Sequence, residues 1–599
     1  MRGVFVVVRT GPSLAWDHHA MTEGIHLAYD RDAVRVVREP WLGRDQLSYA
    51  DPRPHDVLDV LDLAVHRHRD AEAVVDAATG RTRTVAELAD DVAAAAQRLG
   101  RAGVGPGDGV GLAAANSAAH LATILACAAT GAVAVGLSAR LATPQWRYQL
   151  EHSGCRLLVH DDAHAEQASA ATDGLDGVRL AGWLGAEPVD PAGDDGLDGR
   201  GREVSDPRRA RWVDLARDRT RADPAAAYQV VYTSGSTGRP KASQVVHRAS
   251  VHSGIAYDRL LRLQPGESSG VLFSLGYISA MHAHVIPALL SGARLVMLPT
   301  GSPRTWVEQL AAFDVAWAYA VPSWWLLALR EPGLHADVLP HLRLAGAGGS
   351  PFPDALRDGL AERLPGTGLL NVYGLSETHS PATVLRDGDL TTHAGAAGRA
   401  LEVVEVEVRD AEGVPVPPGE PGEVWLAGAL LSTGYAGDEA ATAEGYVDGW
   451  LRTGDVGVLE VGPRVGSGDG DGGGDGGGAT DPAPVLRLLD RVKDLVNRAG
   501  TKVYSAEVER VLGEHPAVAD SACVAAPDPR SGETVAVFVV LTEGVHRPAD
   551  AELRGWVRER LGTAAVPSLV RWVQTLPRGG TGKTDKRELR ARVDGPAHA

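Results

Sequence analysis

Four hydroxyl side chains, two glycines and a lysine lie together from Thr233 to Lys241 in the run Tyr232-Thr-Ser-Gly-Ser-Thr-Gly-Arg-Pro-Lys-Ala-Ser243. Thr233, Ser234, Ser236 and Thr237 supply donors, and Lys241 supplies a point charge. Gly235 and Gly238 let the backbone bend back and bring its N–H groups close to a ligand. This is a composition for holding a polyphosphate. It is not a Walker A loop, which needs Gly-Lys-Ser/Thr opening a helix; here Arg239-Pro240 separate Gly238 from Lys241. A flexible Ser/Gly linker has a similar composition. A linker, however, has no reason to follow a strand-forming stretch such as Tyr228–Tyr232 or to end in Arg-Pro-Lys.

Other runs carry chemistry of their own. Ala345-Gly-Ala-Gly-Gly-Ser-Pro351 would let a flat base lie against the backbone, although an ordinary strand-to-helix turn reads the same way. Asn371-Val-Tyr-Gly-Leu-Ser-Glu377 places a ring, a glycine and a carboxylate within one short segment. Thr453-Gly-Asp455 offers a short carboxylate able to accept two O–H bonds from a cis-diol, though many surface turns share that sequence. His282 and His284 invite a metal assignment. On a helix, positions i and i+2 face apart, so the two are expected to be core or pocket-lining residues.

Taken in order, these runs resemble the ANL superfamily of adenylate-forming enzymes: acyl-CoA synthetases, peptide-synthetase adenylation domains and firefly-type luciferases. The resemblance spans Asp56 to Leu589. It implies that Thr233, Ser234, Gly235, Ser236, Thr237, Gly238 and Lys241 hold the phosphates of ATP, and that Gly348, Gly349 and Ser350 form the adenine-contacting turn. It implies further that Tyr373 stacks on adenine beside Asn371, Gly374 and Ser376, and that Glu377 holds Mg2+. Asp455 would take the ribose hydroxyls and Arg491 a ribose or phosphate oxygen. Leu576-Pro-Arg-Gly-Gly-Thr-Gly-Lys583 resembles the family's C-terminal lysine loop, so Lys583 joins Glu377, Thr233 and Lys241 as the catalytic set. Lys493 stands at the implied hinge and Gly500 at the thiol tunnel, with Phe273, Tyr277, Val321 and Pro322 in the acyl pocket. Three positions depart from the family's usual residues: Ser274 for a histidine frequent in acyl-CoA synthetases, Ser376 for threonine and Thr581 for serine.

The implied reaction is attack of a carboxylate on the α-phosphorus of ATP, with loss of pyrophosphate, followed by displacement of AMP by a thiol. Rotation of a small domain about the hinge would order the two steps. Coenzyme A is the expected thiol, because only a turn or two of helix follows Lys583 and no carrier domain does. The alternatives are an acyl-AMP ligase that loads a carrier-protein phosphopantetheine, and a non-catalytic nucleotide-binding relative. Glu377, Asp455 and Lys583 occurring together weigh against the latter. The substrate would be a small carboxylic acid, fatty or aryl. No aspartate lies between Asp258 and Asp314 to meet an ammonium group, which disfavours an amino acid.

The elements that must position these residues are those of a layered α/β protein. Thr84 and Glu87 form a capping box for a helix expected to run to Leu99 and close at Gly100. Val57 to Val65 shows a helical face, Gly107–Leu112 opens a strand, and Ser250–Leu263 and the stretch through Leu290 read as helices. Leu121–Ala139 is uncharged but glycine-divided, so we read a buried helix and strand rather than a membrane span. Trp317–Pro322 reads as a strand ending in a turn, and Ser505 as the cap of a helix carrying Val508, Val511 and Leu512. Residues 1–55 form an N-terminal extension without a clear periodic pattern, 56–488 the large domain and 489–595 a small lid domain. The expected fold is therefore α/β: a large multi-layered N-terminal domain of mixed sheets and helices with a small mobile α+β C-terminal domain. The Gly/Asp tract near 462–484 cannot bury apolar area and reads as a disordered insertion.

Composition bounds the partners. Hydrophobic residues at 44% and charged residues at 23% suit an ordinary soluble globular protein. A net charge of −18 argues against nucleic acid, which demands a basic face. Three cysteines without Cys-x-x-Cys spacing fit a reduced, cytoplasmic protein, and a homodimer is left open.

Overall fold

The computed structural model describes residues 29–51, 53–183, 211–218, 221–233, 240–299, 301–461, 483–578 and 584–593. The chain divides into two compact units: Met1–Glu405 with Leu426–Leu451, and Val406–Trp425 with Arg452–Ala599. The change of unit thus falls well before residue 489, where the sequence placed the small domain. The architecture is mixed α/β, with a large N-terminal domain and a small C-terminal one.

In the first unit, one sheet runs in the order Lys241–Val246, Ala227–Thr233, Val133–Gly136, Gly109–Ala113, Cys155–His160, Arg179–Ala181. All neighbours are parallel except the first pair. Parallel strands covered on both faces read as apolar runs, and Val110, Leu112, Leu157, Leu158 and Val159 are all buried. The uncharged stretch is the helix Ala118–Thr130, a left-handed cap at Gly131 (φ 71°) and the strand Val133–Gly136. Among the described residues, no helix is long and apolar enough to cross a membrane.

Strands of a second sheet in this unit run in the order Thr82–Thr84, Glu72–Asp76, Arg294–Met297, Ser268–Val271, Val315–Ala320, Leu344–Gly348, Gly368–Tyr373, Thr383–Arg386, Gly398–Ala400. The capping box forms as its residues dictate: Glu87 N–H donates to Thr84 Oγ1 (3.2 Å) and Thr84 N–H to Glu87 Oε2 (2.9 Å). The helix then passes through Gly100 and ends at Arg101, because the turn is left to Ala102 and Gly103 (φ 66°). Pro322 does not close a turn; it opens the helix Pro322–Ala328, where a missing N–H costs nothing. Residues 36–49, inside the stretch without readable periodicity, form a hairpin of Val36–Trp41 with Arg44–Tyr49. Leu42 (φ 51°) and Gly43 (φ 81°) make its two-residue turn.

In the second unit, residues 455–460 of the strand Trp450–Glu460 pair antiparallel with Val485–Arg491, from Glu460 opposite Val485 to Asp455 opposite Arg491. The Gly/Asp tract joins these strands, and 462–482 lie outside the described residues. A smaller sheet contains Val496–Arg498, Thr501–Val503, Val518–Asp528, Gly532–Leu541 and Leu569–Val573. Helices Ser505–Gly513 and Asp550–Leu561 cover it over a core that includes Val508, Val537, Leu553 and Val557. Ser505 is the first residue of its helix and not the cap; Tyr504 holds the cap position and makes no side-chain cap bond. The Ser505 hydroxyl instead donates to Asp490 Oδ1 (3.0 Å) and accepts from Lys586 Nζ (2.7 Å).

Candidate nucleotide and acyl site

Thr233 is the last residue of one strand and Lys241 the first of the next, and the two are directly paired. The phosphate run thus falls between two strands paired antiparallel; Ser234, Gly235, Ser236, Thr237 and Gly238 lie outside the described residues. Its base is well anchored. The Tyr232 hydroxyl lies 2.6 Å from Ser153 Oγ and 3.0 Å from His152 Nδ1. The Tyr148 hydroxyl donates to the Pro240 carbonyl (3.2 Å).

Residues 432–436 run alongside the second strand. Gln244 N–H donates to Gly434 O (3.0 Å), Ala436 N–H to Ala242 O (2.8 Å), and Ser432 Oγ–H to Gln244 O (2.7 Å). This pairing delivers Tyr435, whose ring carries the Lys241 ammonium over its face at 4.8 Å. The Tyr435 hydroxyl donates to Glu377 Oε1 at 2.7 Å. Burial, and then the Glu377 charge, push the phenol's pKa far up, so the proton stays on Tyr435. Lys241, Tyr435 and Glu377 thus form a chain in which the cation meets a ring face and the carboxylate meets a neutral donor.

Glu377 is buried, at 7% exposure, on the 3-10 turn Ser376–Thr378. The turn is held from several sides. Gly374 is obligatory, because an added Cβ would sit 1.4 Å from the Ser380 carbonyl oxygen. Ser432 N–H donates to Glu377 O (2.8 Å). The chain then leaves the turn through two left-handed residues, His379 (φ 52°) and Ser380 (φ 91°). His379 accepts from Val246 N–H at Nε2 (3.0 Å) and donates from Nδ1 to Leu430 O (3.0 Å). That arrangement needs a neutral ring, and burial holds its pKa well below the ordinary histidine value.

Tyr373 ends the strand Gly368–Tyr373, and Ser376 opens the Glu377 turn. Asn371, on the same strand, donates its amide to Ala396 O (3.1 Å). Gly348 ends the neighbouring strand; a Cβ there would lie 2.2 Å from the Tyr319 hydroxyl. Gly349 (φ 82°) and the exposed Ser350 follow. Phe273 packs edge-on against Tyr319 with centroids 5.6 Å apart, and Tyr277 reaches Ser138 (3.1 Å). Asn116 bonds both sides of the loop between them, at Phe273 O (2.7 Å) and Leu275 N–H (2.9 Å). Val321 is half-buried and Pro322 buried.

His282 and His284 lie in a π-helical turn, Met281–Val285, with different partners: Ser250 Oγ for His282 (3.0 Å) and Ser269 Oγ for His284 (2.9 Å). Burial pushes their pKa values down to about 4 and about 3. Among the described residues, no group of three or more His, Cys, Asp or Glu side chains is placed to hold a metal ion.

In the second unit, Asp455 is buried and its carboxylate meets the Arg491 guanidinium at 3.3 Å; the Arg491 side chain is 43% exposed. Thr453 and Gly454 (φ 68°) shape this turn, with Asp455 N–H donating to Thr453 Oγ1 (3.0 Å). Lys493 is exposed on the 3-10 turn Val492–Asp494, and Gly500 (φ 84°) is exposed in a tight hairpin turn. Lys583 lies outside the described residues, but the base of its loop is fixed where Arg578 pairs with Thr584 and Asp585 N–H donates to Pro577 O (2.8 Å).

Sequence reasoning missed Tyr435, His379 and Asn116. A Gly-Tyr pair in Ser432-Thr-Gly-Tyr435 was the one available signal for Tyr435, and only the long-range pairing gives it meaning.

Residues 61–436 match the family model of AMP-binding enzymes, and residues 507–583 match that of the AMP-binding enzyme C-terminal domain. A feruloyl-CoA synthase from Amycolatopsis sp is 32% identical over 516 residues, 86% of this chain and 94% of that protein. The fatty acid–[acyl-carrier-protein] ligase ScoC of Streptomyces coeruleorubidus is 30% identical over 86% of this chain and 92% of its own. Among solved structures, the amide bond synthetase McbA of Marinactinospora thermotolerans superposes with a TM-score of 0.73 at 28% identity, covering 90% of this chain and 99% of its own.

Proposed function

The chain belongs to the AMP-binding enzyme family, and from that premise we propose that it is an AMP-forming acid–thiol ligase that activates a carboxylic acid with ATP and passes the acyl group to coenzyme A. The observation that carries this reading is the buried Glu377 carboxylate, whose one hydrogen bond from a side chain among the described residues comes from a neutral phenol.

A carboxylate does not acylate a thiol, because its leaving group would be oxide. Attack of its oxygen on the α-phosphorus of ATP forms a P–O bond while the bond to pyrophosphate breaks. The acyl-adenylate then loses AMP when a thiol sulfur attacks the acyl carbon. The first step brings two anions together, so the site must supply positive charge and donors. In our reading Thr233 and the loop to Gly238 wrap the phosphates, with Lys241 at the loop's base and Tyr373 against the adenine. Asp455 and Arg491 hold the ribose, and Lys583 bridges carboxylate and phosphate during adenylation.

A magnesium ion fits this residue set. Mg2+ is typically bound through one or two carboxylates plus substrate phosphates, and Glu377 supplies one carboxylate that no cation of the chain neutralises among the described residues. Bound there, Mg2+ would offset the charge that develops on the attacked phosphoryl group. Tyr435 keeps one Glu377 oxygen oriented and leaves the second as acceptor. The buried thiols of Cys127, Cys155 and Cys523 support the cytoplasmic setting we propose.

The test is AMP release across an acid panel that includes ferulic and octanoic acids, run with coenzyme A and separately with a holo carrier protein. Acid-dependent AMP release with coenzyme A thioester as product is expected. Thioester found only on the carrier protein overturns the acceptor, and absence of pyrophosphate exchange with every acid overturns the enzyme.

A further inference from the structure

Directly after Glu377-Thr378, two residues that are not glycine stand in the left-handed region, His379 (φ 52°) and Ser380 (φ 91°). Glycine takes that conformation at little cost, whereas a side chain there is strained and persists only where its surroundings hold it. Here they do. The His379 ring is fully buried and both its nitrogens are engaged: Nε2 accepts from Val246 N–H (3.0 Å) and Nδ1 donates to Leu430 O (3.0 Å). The His379 carbonyl accepts from Ser253 Oγ (2.6 Å), and the Ser380 hydroxyl lies 2.9 Å from that of Tyr257. Ser253 and Tyr257 are one turn apart on the helix His247–Leu261.

The partners of the ring give the strain a purpose. Val246 ends the strand that Lys241 begins. Leu430 lies just before residues 432–436, which pair with that strand and deliver Tyr435. His379 itself is two residues from Glu377. One imidazole therefore ties together the three segments that carry Lys241, Tyr435 and Glu377. We propose that His379 is a positioning residue for the Glu377 carboxylate. It fixes the Glu377 turn against the Lys241 strand and the Tyr435 segment, so that the carboxylate is already placed when a divalent cation arrives. This inference rests on Glu377 as the magnesium carboxylate of the proposed function.

A turn that needed only a left-handed residue would be served better by glycine, which makes His379→Gly the discriminating variant. The probe is Mn2+, titrated into the full chain with α,β-methylene-ATP and followed by electron paramagnetic resonance. His379→Gly should weaken Mn2+ binding by about tenfold, the lower end for losing a group that orients a metal ligand. His379→Gln, whose amide oxygen can reach Val246 N–H in place of Nε2, should return binding to within about threefold of wild type. Ser253→Ala keeps the ring and loses only the tie to the His379 carbonyl, so a weakening of about two- to threefold is expected. His252→Gln alters another buried histidine of the same helix, one that accepts from Tyr49 N–H (3.3 Å). It should lower the melting temperature and leave Mn2+ binding unchanged. Thioester formation from synthetic acyl-AMP without divalent cation should stay within about twofold in every variant. Unchanged Mn2+ binding in His379→Gly and Ser253→Ala, where Glu377→Gln abolishes it, overturns the positioning role alone. Equal weakening in His252→Gln also overturns it, since lost stability would then be the cause. If Glu377→Gln binds Mn2+ as the wild type does, the magnesium reading fails and this inference fails with it.

Discussion

Two of the molecule's carboxylate sites, the half-buried Asp490 and Glu509 and the buried Glu377, are compensated in opposite ways. In the second unit Asp490 and Glu509 share Lys586, whose ammonium is 2.8 Å from Glu509 and is linked to Asp490 through Ser505. Burial opposes the Lys586 charge, but Glu509 and then Asp494 and Asp490 outweigh it and hold its pKa above the ordinary lysine value. In the first unit Glu377 is more deeply buried, yet the nearby lysine spends its charge on the face of Tyr435. A carboxylate given only a phenol keeps its negative charge for something that is not part of the chain. A carboxylate given an ammonium has none to lend. In the reading proposed above, the Glu377 site serves a ligand cation, whereas the Lys586 cluster holds elements of the second unit together.

The sharpest way to break that contrast is Glu377→Gln. The amide still accepts from Tyr435, so the fold and melting temperature should change little. Adenylation should fall by about 10³-fold, near the upper range for removing one preorganised electrostatic partner. Pyrophosphate exchange measured against Mg2+ concentration checks it; a variant with full activity at ordinary Mg2+ would remove Glu377 from the site. Lys583→Ala should cost adenylation about 10²–10³-fold and largely spare thioester formation from synthetic acyl-AMP. Equal slowing of the two steps would show that the lysine is not confined to the first.

Lys586→Met should do the reverse: destabilise the second unit by about 1–3 kcal/mol, since two half-buried carboxylates lose their cation. Burial raises the pKa of both Asp490 and Glu509. A carboxylate whose folded pKa lies above its unfolded value destabilises the fold at high pH, and the penalty lessens as pH falls through the folded pKa. The stability gap between variant and wild type should therefore narrow on acidification, as followed by denaturant unfolding at several pH values. A gap that widens instead would mean that the cluster is not held by charge. Smaller again is Tyr435→Phe, which removes the donor to Glu377 but keeps the ring under Lys241. About a tenfold loss of adenylation is expected, read by the same exchange assay, at the scale of one hydrogen bond to a charged group.

The contrast also explains what the sequence could and could not reveal. Tyr373, Gly374, Ser376 and Glu377 were legible because they act within one strand and the turn that follows, and the Gly374 requirement is local to a few residues. Tyr435 was not, since it reaches Lys241 only through pairing of segments nearly 190 positions apart, as in the bond from Ser432 to Gln244 with a separation of 188. Ser505 was placed as a cap because serine before an apolar-periodic run usually is one. Its actual role depends on Asp490 and Lys586, and no local pattern joins those three. The hairpin at residues 36–49 escaped because its turn is Leu42-Gly43, where only the glycine signals a positive φ and leucine does not.

The smallest expected effect concerns the tract between the paired strands Trp450–Glu460 and Val485–Arg491. Residues Gly466–Thr480 lie outside the described residues, but Glu460 and Val485 are direct partners across an antiparallel pair. Such partners have Cα atoms about 5 Å apart, so a short turn between the flanking residues can close the same hairpin without moving either strand. Gly466–Thr480 is Gly and Asp apart from Ser467, Ala479 and Thr480, a composition that buries no apolar area. Cutting the loop to less than half its length should stabilise the hairpin by only about 0.6–1 kcal/mol through loop-closure entropy. The strands also carry Asp455 and Arg491 opposite each other at the end remote from the tract. Replacing Gly466–Thr480 with a short turn should therefore leave adenylation within about threefold of wild type and raise the melting temperature slightly. A folded deletion variant that no longer binds ATP would instead place the tract in the nucleotide site, and the Asp455–Arg491 pair would then have to be read as one part of a larger surface.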